Sequence, residues 1–167
     1  MLIIMAGLPG TGKSFLAHAL ANILDAIILS KDTARHALFA PDQVEYSTAQ
    51  DDYVIDVLLE TASSVWKKDP RKNVILDGRT FSRESQRAHV IRFAEQNGQR
   101  WKIVECICSE SLAKQRLASG DSTHPAANRT PALYDEVKGR WEPINEPHIT
   151  VQTDECDGYA FLSCELS

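Results

Sequence analysis

The sequence predicts an α/β protein in which a parallel sheet carries helices on both faces. Three observations lead there. Short, nearly unbroken apolar runs recur at 2–6, 26–30, 73–77, 101–108 and 148–153. Such runs fit strands buried on both faces, as parallel strands are. Segments with apolar residues at helical spacing lie between them, so strand and helix alternate. A glycine-rich loop also joins the first run directly to the first helix.

Each element has its own signals. Leu2-Ile3-Ile4-Met5-Ala6 is the first strand. A helix follows with Phe15, Leu16, Ala19, Leu20, Ile23 and Leu24 as its apolar stripe. Ala26 to Ser30 is a second short buried strand, and Lys31-Asp32-Thr33 opens a short helix that Pro41-Asp42 breaks. Residues 45–67 read as one long helix, with Tyr46, Ala49, Tyr53, Val54, Val57, Leu58, Thr61 and Val65 in register. The charged turn Lys67 to Lys72 ends it, and Asn73 to Asp77 is the third strand. Ser82 is placed to cap a helix that runs to about Gln96 and stops at Asn97-Gly98. Trp101 to Cys108 is the fourth strand, and Ser109 caps a helix through Leu117. After a polar, aperiodic stretch, Pro131 sits at the first position of a helix reaching about Trp141. His148 to Thr153 is the fifth strand, and 154–167 forms a polar tail.

Bulk composition narrows the class. The 167 residues, 43% hydrophobic and 25% charged, suit one domain over 1–167 with a real core. A net charge of -5 argues against a protein that coats nucleic acid. Arg83, Arg87 and Arg92, with Lys67, Lys68, Arg71 and Lys72, are interleaved with acids and read as solvated basic surface. Cys106, Cys108, Cys156 and Cys164 form no C-x-x-C pair and read as reduced thiols. No leader peptide, membrane span or metal-binding histidine cluster is expected, and the setting is cytoplasmic.

The chemistry concentrates at strand ends, where ligands of such sheets bind. Gly7-Leu8-Pro9-Gly10-Thr11-Gly12-Lys13-Ser14 completes the phosphate-loop pattern G-x-x-x-x-G-K-S/T between a strand and a helix. Its glycines permit positive φ, and its N–H groups form an anion nest at a helix N-terminus. Lys13 can reach the β- and γ-phosphates of ATP, and the Ser14 hydroxyl can hold Mg²⁺. After strand two, Asp32 and Arg35 share one helix face. The carboxylate can take the proton of an acceptor hydroxyl, and the arginine can stabilise the acceptor or the transferring phosphoryl group; a capping Asp beside a solvated Arg is the bland alternative. After strand three, Asp77 is a second Mg²⁺ anchor. Gly78 occupies the place of a water-polarising Glu, and Arg79 can bind anionic or hydroxylated parts of a second substrate. Residues 116–131 suit a lid whose Arg116 and Arg129 would grip the triphosphate, whereas His124 within it is left unassigned.

These residues together resemble the small P-loop kinases related to 5′-polynucleotide kinase, zeta-type toxins and chloramphenicol phosphotransferase, often described as AAA-type ATP-binding kinases. The resemblance rests on Gly7 to Ser14, on Ser30-Lys31-Asp32-x-x-Arg35, on Ile75-Leu76-Asp77-Gly78, and on Arg116 with His124-Pro125 through Arg129-Thr130-Pro131. It implies a three-layer fold with strand order 2-3-1-4-5 and a helical lid. It also implies Asp32 as general base, Arg35 on acceptor or phosphate, Arg116 and Arg129 on the nucleotide, and adenine near Thr153 and Asp154. The expected activity is ATP- and Mg²⁺-dependent transfer of a phosphoryl group to a hydroxyl of a small or medium acceptor. A 5′-hydroxyl polynucleotide kinase and a nucleotide-dependent switch without acceptor are the competing readings. A nucleic-acid end is the less favoured partner, because the lid is not strongly basic. The Asp-Gly-x-Pro-Arg pattern of nucleoside monophosphate kinases is broken at Thr80.

Overall fold

A computed structural model describes residues 1–119, 130–155, 162, 165 and 166. Five parallel strands, β1 (Leu2–Ala6), β2 (Ala26–Ser30), β3 (Asn73–Asp77), β4 (Trp101–Ile107) and β5 (His148–Gln152), lie in the order β2-β3-β1-β4-β5. This is the expected sheet. Alternating side chains of β1 feed two cores, because successive residues of a strand point to opposite faces. Leu2, Ile4 and Ala6 join a cluster with Leu59, Trp66 and Val90 from α3 (Thr48–Lys68) and α4 (Glu84–Gln96). Ile3 and Met5 pack on the other face with Leu16 and Leu20 of α1 (Lys13–Leu24). The result is three layers, with β1 fully enclosed.

Several details differ from the sequence expectation. β2 is half-buried along its length because it is an edge strand. Phe15 and Ile23, counted into the α1 stripe, are exposed. The long helix begins at Thr48, not at 45. Ser47 accepts a hydrogen bond from the Gln50 N–H, and the Gln50 side chain reaches back to the Glu45 N–H and the Gln43 carbonyl. That reciprocal cap stops the helix and leaves Tyr46 in a loop. Ser82 is buried and Arg83, not Ser82, holds the N-cap position of α4. Helices α5 (Glu110–Ala118) and α6 (Pro131–Gly139) pack together through Ala113, Leu117 and Tyr134. Residues 120–129, including His124 and Arg129, lie outside the described residues, as do Cys156 and Cys164. The tail is not wholly polar in its role: Leu162 and Leu166 complete the α1-side core.

Register sets up the site. Ser30 at the end of β2 lies beside Asp77 at the end of β3. The chain leaving β2 enters α2 (Lys31–Leu38) at once, with Ser30 accepting a hydrogen bond from the Thr33 N–H as its cap. Asp32 and the loop after Asp77 are therefore neighbours in space. No helix among the described residues is long and apolar enough to cross a membrane.

Arg87 overturns the reading of a solvated basic face at its position. Its side chain is fully buried. Nε donates to both Glu146 carboxylate oxygens at 3.0 and 3.1 Å, and the remaining nitrogens donate to the carbonyls of Phe81, Glu142 and Pro143. The arginine thus ties α4 to the segment entering β5. Partial burial works to raise the Glu146 carboxyl, but Arg87 and backbone N–H donors together outweigh it and hold that group below its ordinary value. Arg87→Leu strands several carbonyls and a carboxylate, so urea denaturation should show a loss of about 3 kcal/mol. Because the Glu146 value is depressed, its contribution is present above the ordinary carboxylate range and fades as pH falls. The variant should therefore lose less further stability than wild type between about pH 5 and pH 3. On β4, burial pushes the Cys106 thiol up to about 12. Peptide mapping after iodoacetamide treatment at about pH 8.5 should find Cys106 unmodified in native protein and modified in urea.

Candidate functional site

The phosphate loop forms because backbone replaces side chains at its tightest points. Gly7, Gly10 and Gly12 have φ of 139°, 81° and 84°. A Cβ at Gly7 would overlap the Cys106 carbonyl oxygen, and one at Gly10 would lie 2.5 Å from the Ala113 carbonyl oxygen. The loop is thereby wedged against β4 and α5. Thr11 braces it internally, donating from Oγ1 to the Leu8 carbonyl at 2.8 Å. Thr153 donates to the Thr11 carbonyl at 2.8 Å, and Arg116 to the Gly10 carbonyl at 3.2 Å. Lys13 lies across the loop, donating to the carbonyls of Gly7 and Leu8 at 2.9 and 2.8 Å.

The loop opens onto a cleft of about 680 Å³. Pro9, Gly10, Gly12, Lys13, Ser14 and Arg116 line one part of it, with Thr153 beside them. Asp154 does not line it, because its carboxylate accepts from the Ser109 N–H and the Gln152 amide. Those bonds, the Ser109 one foremost, hold the carboxyl below its ordinary value. Cys108 lies 4.0 Å from Arg116; burial raises its thiol, and the guanidinium works against that. Lys31, Asp32, Gly78 and Arg79 line the same cleft, so Asp32 and Arg79 come together there, whereas the candidates Arg35 and Asp77 do not line it.

Gly78 fixes that meeting. Its φ is 91°, and a Cβ would lie 3.1 and 3.2 Å from the Lys31 and Asp32 nitrogens. Only a residue without a side chain fits that approach comfortably. Asp32 is 7% exposed and is not the helix cap; Ser30 is. The bland reading of Asp32 as a cap therefore fails. Its carboxylate lies 3.6 Å from Lys31 and 3.7 Å from Arg35, too far for hydrogen bonds.

Both cations are held instead by Asp51, a residue the sequence reading did not single out. Asp51 Oδ1 accepts from Lys31 Nζ at 2.8 Å and from Arg35 Nη2. The Arg35 guanidinium is fully buried, sits 5.0 Å from the Tyr46 ring, and does not line the cleft. Its Nε and Nη1 have no hydrogen-bond acceptor among the described residues. Only the position of Asp51 in the first turn of α3 could have signalled its role. Arg79 is buried, with Nη2 on Asp52 at 2.6 Å. Asp77 is 4% exposed, and its Oδ1 also finds no hydrogen-bond donor among the described residues.

An orphaned carboxylate oxygen behind a phosphate loop fits a site for a hydrated divalent cation, since a buried charge is otherwise costly. Ser14, on the cleft wall, supplies a hydroxyl of the type such a cation takes. No group of three or more metal-ligating side chains occurs among the described residues.

Comparison with known proteins agrees with this fold. The AAA domain family matches residues 2–133. No curated protein matches the sequence. Among solved structures, a "putative kinase" from Chloroflexus aurantiacus J-10-fl is 24% identical with a TM-score of 0.75, covering 99% of this chain and 96% of its own. The Mycobacterium tuberculosis APS kinase CysC, solved with AMPPNP and APS, is 17% identical with a TM-score of 0.69, covering 99% and 94%. A gluconokinase from Sinorhizobium meliloti 1021 is 16% identical with a TM-score of 0.66, covering 92% and 83%. The chain belongs to the AAA domain family and has the three-layer fold of P-loop kinases.

Proposed function

We propose that the protein is a kinase that transfers the γ-phosphoryl group of ATP to a hydroxyl of a small or medium acceptor. The observation that carries this is the meeting of the phosphate loop and Asp32 on one cleft wall. The loop N–H groups and Lys13 bind the triphosphate, with Arg116 adding charge at the Gly10 side; Arg129 would join from the lid. Ser14 and Asp77 would hold Mg²⁺, which when bound screens charge on the β- and γ-phosphates. Asp32 accepts the proton of the acceptor hydroxyl as its oxygen forms a bond to the γ-phosphorus and the bond to the ADP oxygen breaks.

Asp32 is suited to that work by what its neighbours do. Lys31 and Arg35 flank its carboxylate at 3.6 and 3.7 Å. Here Asp51 takes the hydrogen bonds of both cations, leaving the Asp32 carboxylate hydrogen-bonded to none of them and facing the cleft. Arg35 is then a positioning residue that acts through Asp51 and Asp32, since it does not reach the cleft. Gly78, where a hydrolase would carry a water-polarising Glu, favours an acceptor other than water.

Two variants test this. Lys13→Ala should weaken ATP binding roughly 30-fold or more by calorimetry, because it removes a charge-assisted contact. Asp32→Asn should leave ATP affinity within about twofold and lower the transfer rate by about 10² to 10⁴, the range of a lost general base. An Asp32→Asn protein that transfers phosphate to its acceptor at the wild-type rate removes Asp32 from the role of base.

A further inference from the structure

We infer that the acceptor is a small hydroxylated molecule carrying an anionic oxyacid group, carboxylate or phosphate, and that Arg79 selects it. This rests on the kinase reading above and names its substrate class. Arg79 lines the cleft yet is only 5% exposed. A buried guanidinium ordinarily satisfies its donors, because each orphan is costly. Here Nη2 donates to one oxygen of Asp52, while Nε has no hydrogen-bond acceptor among the described residues. Nε and Nη2 form one edge of the guanidinium fork, and that edge fits the two oxygens of a carboxylate or phosphate. Asp52 uses half of it.

Charge points the same way. Lys31, Arg35, Asp32 and Asp51 balance among themselves, two against two. The Asp52 side chain is 56% exposed, so water screens its hold on Arg79. Exposed Arg83 and Arg140 extend the basic side toward solvent, although Glu136 pairs with Arg140. With Lys13 and Arg116 set aside for the triphosphate, the cleft wall still carries four basic and three acidic side chains on a chain of net charge -5. An arriving oxyanion would complete the Arg79 fork and meet a favourable field. A neutral polyol would leave both the orphan donor and the charge surplus in place.

The test pairs anionic acceptors with neutral counterparts of equal size. Sugar acids and sugar phosphates are compared with the parent sugars, with nucleosides and with a 5′-hydroxyl oligonucleotide. ATP consumption reads turnover, and calorimetry of each compound on the full chain reads binding without turnover. Either the acid or the phosphate series should surpass its neutral counterpart at least tenfold in kcat/KM, and the better series names the oxyanion. Arg79→Met should raise KM for the anionic acceptor roughly 30-fold and leave KM for ATP unchanged. Asp52→Asn, at an exposed position that does not threaten folding, should lower that KM by freeing the fork.

Equal use of neutral acceptors overturns the inference while the kinase reading stands. Preference for the oligonucleotide over every small anion overturns it too, as does a KM unmoved in both variants. Anion binding that depends on Arg79 with no phosphoryl transfer to any compound keeps Arg79 as an oxyanion site but removes the kinase reading, and with it the acceptor.

Discussion

The architecture depends on close backbone approach around the phosphate loop. Gly7 presses on a β4 carbonyl and Gly10 on an α5 carbonyl, where a methyl group would collide. The same loop is braced by Thr153 after β5 and by Arg116 of α5. Strand β1 carries the loop from the centre of the sheet, with β3 and β4 on either side. The ends of β1, β4 and β5, together with α5, therefore hold the loop in its shape. Gly78 repeats the principle at the other end of the cleft. Its contact with the Lys31 and Asp32 nitrogens couples the end of β3 to the start of α2. Backbone contacts thus place the phosphate loop and the start of α2.

Charge placement then divides the cleft. Around Lys13 and Arg116 the wall is basic and suited to phosphate. Farther along, four charged groups at the start of α2 and α3 are arranged as alternating pairs. Asp51 is the hinge of that arrangement, because one of its oxygens serves Lys31 and Arg35 together. Removing Asp51 would leave Lys31 and Arg35 buried without their hydrogen-bond acceptor. Buried networks of this kind are costly unless nearly complete. Arg79, with one orphaned nitrogen, lines the cleft, and the orphaned groups of Arg35 and Asp77 lie on the elements next to cleft-lining Asp32 and Gly78. Their concentration there fits a site built to be completed by ligands.

Much of this was legible in the sequence, for identifiable reasons. The strands are short, apolar and continuous, and the phosphate loop carries an unmistakable spacing, so the sheet and one half of the site could be placed directly. Asp32, Asp77 and Arg79 drew notice because strand ends are where such sheets bind ligands. What escaped the reading depends on geometry between distant segments. Asp51 looks like any acid in the first turn of a helix, and only the approach of α2 makes it the partner of two cations. Arg87 looks like a surface charge until Glu146, far along the chain, folds over it. Tyr46 follows helical spacing, yet the Ser47 and Gln50 cap removes it from the helix and lays it beside Arg35. Arg35 itself was expected at the cleft, and its burial behind Asp51 turns it into a support.

The central claim is that a triphosphate in the loop points its γ-phosphoryl group at the Asp32 carboxylate. A crystal structure with Mg²⁺ and a non-hydrolysable ATP analogue tests it most directly. The account predicts the γ-phosphate on the Asp32 side of Lys13, with space for an acceptor hydroxyl between phosphorus and carboxylate. A γ-phosphate turned away from Asp32, with protein filling the space between them, would contradict it.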